Sequence, residues 1–351
     1  MMRRDLGLFA LLNAGLIALL FLAGRQPLAL SPDNPELPIA LVGKWLPYAL
    51  ALASAGSIAI ARLVPSVGRG FLVRHFALYA ASPLLLFMVR YDPAVLNSQL
   101  GAVYLLVAVA FAAHALSGIW AGLPALGDRR VATLLGLTVL VTSLMVLPYD
   151  RSVYPTASDE PHYLLITQSL LYDHDVDLRN DYDGDRYRAF YPARLPDVHG
   201  IGVGHAIYPI RDLGLPILSV LPFALAGRSG VMAMLCLVAA LLAAQLYLLL
   251  RDLRFDPRDA FLAVAATALV HPILTYTTQV YPDLPAALAF VGAVRLLGRG
   301  AAMRARDLAA ASALVGVLPW LTTRGWLIAV GVGVVVAFWS LRPLFGGLVP
   351  R

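Results

Sequence analysis

The chain has 351 residues, 60% of them hydrophobic, and a mean hydropathy of +0.75. A soluble domain is roughly 45–50% apolar, so the composition excludes a water-soluble globule and predicts an all-α polytopic membrane protein. The formal net charge of +6 does not point to nucleic acid, because the basic residues punctuate alternate loops instead of forming one patch.

Apolar runs of helix-spanning length recur at about residues 5–24, 38–62, 71–90, 98–121, 131–148, 229–250, 259–276, 283–298, 307–323 and 326–341. A span needs ~20 predominantly apolar residues, which predicts about ten transmembrane helices. The first run follows Arg3 and Arg4 and lacks a convincing small-residue cleavage site, so it reads as a retained anchor. Arg62, Arg69, Arg74, Arg129, Arg130, Arg251, Arg254, Arg258, Arg295, Arg299, Arg304 and Arg306 mark one side of the membrane. By the positive-inside rule that side is cytoplasmic, and both termini lie there. The single cysteine, Cys236, falls within a predicted span and reads as a small packing residue. Gly346 to Arg351 resembles the remnant of a thrombin-cleaved tag and is expected to play no functional part.

One long extramembrane segment, 149–228, is expected outside the cytoplasm; it holds eleven of the 21 acidic residues. Ser158 is placed to cap a helix whose first turn contains Asp159, Glu160 and Pro161. Tyr163, Ile166 and Leu170 then share one face, which predicts an amphipathic helix lying along the membrane interface. Residues 213–227 are apolar, carry Pro216 and Pro222, and read as a second interfacial helix leading into the span near Val231.

The chemistry concentrates in this loop. Asp159 and Glu160, with His162 and Tyr163 beside them, form a carboxylate pair just outside a span, suited to general-base work, metal ligation or both. Tyr281 and Asp283 lie in a polar turn between two spans on the same expected side, and an acidic group at membrane depth points to function. Arg324, after Pro319-Trp320-Leu321, is an unexpected outer arginine that either snorkels to headgroups or holds a phosphate oxygen. The aspartates at 173, 175, 177, 181, 183 and 185 lack the glycine that a calcium loop needs at its sixth place, where Leu178 stands, and read as a solvated acidic loop. His114 and His271, inside predicted spans, read as packing histidines.

Asp159-Glu160-Pro161-His162-Tyr163, Gly214-Leu215-Pro216, Asp283-Leu284-Pro285 and Pro319-Trp320-Leu321 with Arg324 occur in an order that resembles the GT-C superfamily of polyprenyl-phosphate-sugar-dependent glycosyltransferases. The likeness is to the protein O-mannosyltransferase and aminoarabinose-transferase type and covers about residues 129–341. It implies an N-terminal helical extension over 1–128 and a GT-C-like core over 129–345. It further implies an inverting transferase in the cell inner membrane, with its active-site loop outside, that moves a sugar from a polyprenyl-phosphate-linked donor to a lipid, glycan or protein acceptor hydroxyl. Asp159 would be the general base, assisted by Glu160. His162, Tyr163, Tyr281, Asp283 and Arg324 would bind substrate, and a divalent metal on Glu160 or His162 would supplement Arg324. No nucleotide cofactor is expected, in agreement with the lack of a glycine-rich phosphate loop. A transporter or flippase is the rival reading, although it would show midplane charges and internal repeats. A non-catalytic membrane scaffold is the other.

Overall fold

The computed structural model describes residues 2–23, 39–64, 66–67, 70–78, 93–153, 156–191, 194–195 and 199–341. In chain order the helices are α1 (Met2–Ala23), α2 (Ile39–Leu63), α3 (70–78), α4 (Pro93–Gly122), α5 (Asp128–Val153), α6 (Glu160–Tyr172), α7 (Arg179–Asp183), α8 (Gly214–Asp252), α9 (Pro257–Ala268), α10 (Ile273–Tyr276), α11 (Asp283–Leu297), α12 (Ala305–Leu321) and α13 (Gly325–Leu341). A short hairpin of β1 (Gly200–Val203) and β2 (Ala206–Pro209) interrupts them. The protein forms two compact units, Met1–Tyr154 with Asp256–Val270, and Pro155–Phe255 with His271–Arg351.

Among the described residues, four helical stretches are long and apolar enough to cross a membrane: Leu46–Leu63, Leu105–Ala125, Asp128–Leu147 and Gly214–Asp252. Helices also stand where spans were expected at 283–298, 307–323 and 326–341, but with 15, 17 and 17 residues they fall short of ~20. The expected span over 259–276 is not one helix. It ends at Ala268 and resumes as the single turn α10, because Pro272 lacks an N–H and disfavours helical backbone at the residue before it. Residues 79–92, in the expected span over 71–90, lie outside the described residues.

In the first unit α5 packs against both α2 and α4 and buries Leu134, Leu135, Val139 and Met145. Its hydroxyls are satisfied within the helix: Thr138 Oγ1 donates to Leu134 O at 2.8 Å, and Thr142 Oγ1 to Thr138 O at 2.7 Å. That lets polar side chains sit in an apolar layer without an unpaired donor.

The second unit is built on α8, against which α6, α11 and α12 pack. α8 has two limbs joined at Ala226 and Gly227, where Gly227 adopts φ +56°. A positive φ strains residues other than glycine, so the break belongs to this position. The first limb is the helix expected over 213–227. The second, 228–252, is about 37 Å long at 1.5 Å per residue, enough to cross a hydrocarbon core of ~30 Å.

α6 departs from expectation. Ser158 lies at φ +53° and does not cap it; the preceding position is Asp159, whose side chain makes no cap bond. Nor is α6 amphipathic: every residue from Glu160 to Ser169 is buried. α8 and the turn at Arg186–Ala189 cover the faces that a helix on a membrane surface would leave wet.

The candidate active site at the start of the buried helix

The acidic stretch after α6 is held by its own hydrogen bonds, with Asp181 buried and Asp175 and Asp183 exposed. Asp175 Oδ1 accepts from Ser169 Oγ at 3.1 Å and from Asp177 N at 3.1 Å. Asp177 Oδ1 accepts from Arg179 N at 3.0 Å and from Ile207 N at 2.8 Å, which holds its carboxyl below the ordinary range. Arg186 pairs with Asp173 and, at 3.3 Å, with the fully buried Asp181. Burial, reinforced by the charge of Asp173, pushes the Asp181 carboxyl up to about 6. These bonds anchor the hairpin: Leu178 N also donates to Ile207 O at 2.8 Å.

The antiparallel pairing of Gly200 with Pro209 and Ile201 with Tyr208 brings the residues flanking the hairpin together. Ile210 N donates to His199 O at 3.3 Å, so His199 and Arg211 leave the base of the ribbon side by side. From there Arg211 Nη2 donates to Asp159 Oδ1 at 2.5 Å. His199 Nδ1 lies 3.6 Å from the same oxygen. The His199 ring stacks on His162, with centroids 3.8 Å apart and planes 13° off parallel. His162 Nδ1 is 3.0 Å from Tyr182 Oη, which in turn accepts from His199 N at 3.3 Å. Burial, then the neighbouring His199 and Arg211, holds His162 down at about 4. It is a neutral imidazole at pH 7.

Asp159 is a quarter exposed and lines a cavity of about 280 Å³ with Ser158, Pro161, His162, Tyr191, Leu195 and His199. Tyr163, one turn into α6, is buried, which pushes its phenol up to about 12; Arg211 opposes this, while Asp212, Asp159 and Asp283 add to it. The phenol therefore stays protonated and sits within the electrostatic reach of both acidic motifs.

Glu160 points elsewhere. Its carboxylate pairs with Arg228 at 3.3 Å, both side chains nearly buried, at the point where α8 resumes after Gly227. Glu160 thus pairs with Arg228, while His162 lies against Tyr182 and His199. Among the described residues no cluster of three or more His, Cys, Asp or Glu is arranged to hold a metal.

The remaining motifs come to the same unit by backbone contact. A Cβ on Gly214 would lie 2.4 Å from Trp320 O, so only glycine lets the start of α8 meet the end of α12 this closely. The approach is reinforced where Thr323 Oγ1 donates to Asp212 Oδ2 at 3.0 Å. Arg324 follows Thr323 and is exposed; Asp283 opens α11 and is also exposed. Tyr281 stands edge-on to Tyr276 at 6.1 Å. Asp159 is thus gathered with Arg211, His199 and His162. Arg324 is linked to this neighbourhood through the chain neighbours Thr323 and Asp212.

Sequence reasoning missed His199, Arg211 and Arg228. The available signal was Arg211-Asp212-Leu213 leading into Gly214-Leu215-Pro216: an arginine on the side expected to disfavour positive charge. No family profile, curated protein or solved structure matches the chain.

Proposed function

We propose that the protein is an inverting glycosyltransferase working at the outer face of the cell inner membrane, with a polyprenyl-phosphate-linked sugar as donor. The acceptor is a hydroxyl on a lipid, glycan or protein. The observation that carries this reading is the Asp159–Arg211 pair, whose carboxylate lines an open cavity at the start of α6.

Asp159 takes the proton of the acceptor hydroxyl. That oxygen forms the new bond to the anomeric carbon from the face opposite the phosphate. The carbon–oxygen bond to phosphate breaks, its electron pair leaves with polyprenyl phosphate, and the anomeric configuration inverts. A planar guanidinium holds phosphate oxygens as well as it holds a carboxylate. A donor phosphate competing for Arg211 draws it off Asp159 and frees the base only when substrate is present. The charge growing on the leaving phosphate is then met by a cation already in place. Arg211, not Arg324, has this position, and Arg324 serves the outer approach. The neutral His162 forms part of the cavity wall, and the protonated phenol of Tyr163 is within electrostatic reach of Asp159. No step requires a metal or a nucleotide.

A polyprenyl phosphate bearing a photoreactive sugar analogue tests the site. The reading expects crosslinks at cavity residues such as Tyr191 and Leu195, lost on competition with polyprenyl monophosphate. Labelling that spares this cavity entirely overturns it.

A further inference from the structure

The hairpin presents an apolar face that its role in placing His199 and Arg211 does not explain. Side chains alternate along a strand, and Ile201 pairs with Tyr208, so Ile201, Val203, Tyr208 and Ile210 share one side of the ribbon. All four are exposed, at 60, 59, 44 and 52%. Between Gly200 and Ile210 no residue is acidic, lysine or arginine, and His205 at the turn is the one titratable group besides Tyr208. Soluble surfaces seldom gather apolar side chains this way without a partner.

The partner follows from what the hairpin is tied to. β2 ends at Pro209, and Gly214 opens α8, an element long and apolar enough to cross a membrane. Five residues reach at most about 17 Å, so the ribbon stays close to the level at which α8 meets the bilayer. That level is marked: Gly214 lies against the backbone of Trp320, whose side chain is 59% exposed, and tryptophan concentrates at membrane–water interfaces. The first limb of α8 exposes Leu218, Leu221 and Leu225 on one helical face beside the same junction.

We propose that the 200–210 hairpin is a lipid-contacting element, its Ile201/Val203/Tyr208/Ile210 face seated in the headgroup–acyl boundary on the side where α8 begins. An uncharged apolar ribbon gains from burial of ~5–10 Å into that layer. Because His199 and Arg211 flank the ribbon, its seating fixes them at the bilayer surface. The proposal is independent of the transfer chemistry.

The experiment uses the full chain in phosphatidylcholine nanodiscs, with buried Cys236 replaced by alanine and one environment-sensitive NBD label at Val203→Cys or, as control, at the exposed position Asp183→Cys at the end of α7. Near-ultraviolet circular dichroism checks that both variants keep the native packing. The expected result is blue-shifted emission at 203, and quenching by shallow doxyl-phosphatidylcholine several-fold stronger than at 183. Equal doxyl quenching at the two sites overturns the proposal. So does a blue shift at 203 without doxyl quenching, which would mean that protein, or a second copy of this chain, covers the face.

Discussion

Arg211 places a guanidinium nitrogen 2.5 Å from Asp159 Oδ1 although 52 residues separate them in sequence. Two features create the pair: the break before α6 that leaves Asp159 outside the buried helix, and the hairpin that returns the chain to it. In the proposed reaction the carboxylate is the base and the guanidinium is the group that a phosphate must capture.

Asp159→Asn is expected to keep the fold, because an amide oxygen still accepts from Arg211, and to lose transfer. Removal of a general base typically costs 10²–10⁴-fold. Release of polyprenyl phosphate measured against wild type, with unfolding followed in parallel, separates the two effects. Near-wild-type turnover would remove Asp159 from the base position.

Arg211→Ala should weaken donor binding and slow the chemical step by about 10²–10³-fold, the scale for removing one donor to a developing anion. Arg211→Lys recovers part of this, since an ammonium lacks the planar fork. Arg324→Ala, at an exposed position, should change donor affinity far less. Titration of a polyprenyl-phosphate sugar against the three variants checks the order, and a larger loss at 324 than at 211 contradicts it.

Glu160→Gln or Arg228→Gln each remove one charge of a nearly buried ion pair. Breaking such a pair costs about 3–5 kcal/mol, whereas replacing both partners with apolar groups of similar size is often neutral. Each single variant should therefore unfold more readily than the Glu160→Met/Arg228→Met double variant. A double variant no better than the singles would show that this ion pair does not set the stability of the region.

Much of this was legible in the sequence, and the omissions have physical causes. The Asp159-Glu160 motif, the helix after it and the two-limbed segment through Gly227 were visible because composition and Pro/Gly punctuation are local signals. The division of labour between the two carboxylates was not: adjacent residues at a helix start point in different directions, Asp159 to Arg211 and Glu160 to Arg228. The hairpin escaped because glycines at 200, 202 and 204 dilute its alternating pattern. The burial of α6 escaped because an apolar partner is supplied by α8, which begins 42 positions after α6 ends. The hydrogen bonds within the acidic run were not legible because its cation, Arg186, and its backbone donors become partners only once the loop folds.

Burial and its cationic neighbour hold His162 down at about 4, below its ordinary value near 6.5. Such a group is neutral in both states above pH 6.5, and its contribution is lost as pH falls from about 6.5 towards 4, where only the unfolded chain binds the proton. Asp181, raised to about 6, works in the opposite sense over about 6 to 3.8, so the test is a difference. Stability of wild type should fall more steeply than that of His162→Gln between pH 6.5 and 4.5. Parallel curves would mean that His162 takes up its proton in the folded protein.

The central claim is that this chain consumes a polyprenyl-phosphate sugar through Asp159. The most direct measurement incubates wild type and Asp159→Asn in nanodiscs with a panel of polyprenyl-phosphate hexoses and pentoses and a membrane extract as acceptor source, and follows release of polyprenyl phosphate. The account predicts that wild type turns over at least one donor, with inversion at the anomeric carbon, and that Asp159→Asn binds that donor but releases ~10²-fold less. Equal release by the two proteins, or no release from any donor by wild type that binds it, would contradict the account.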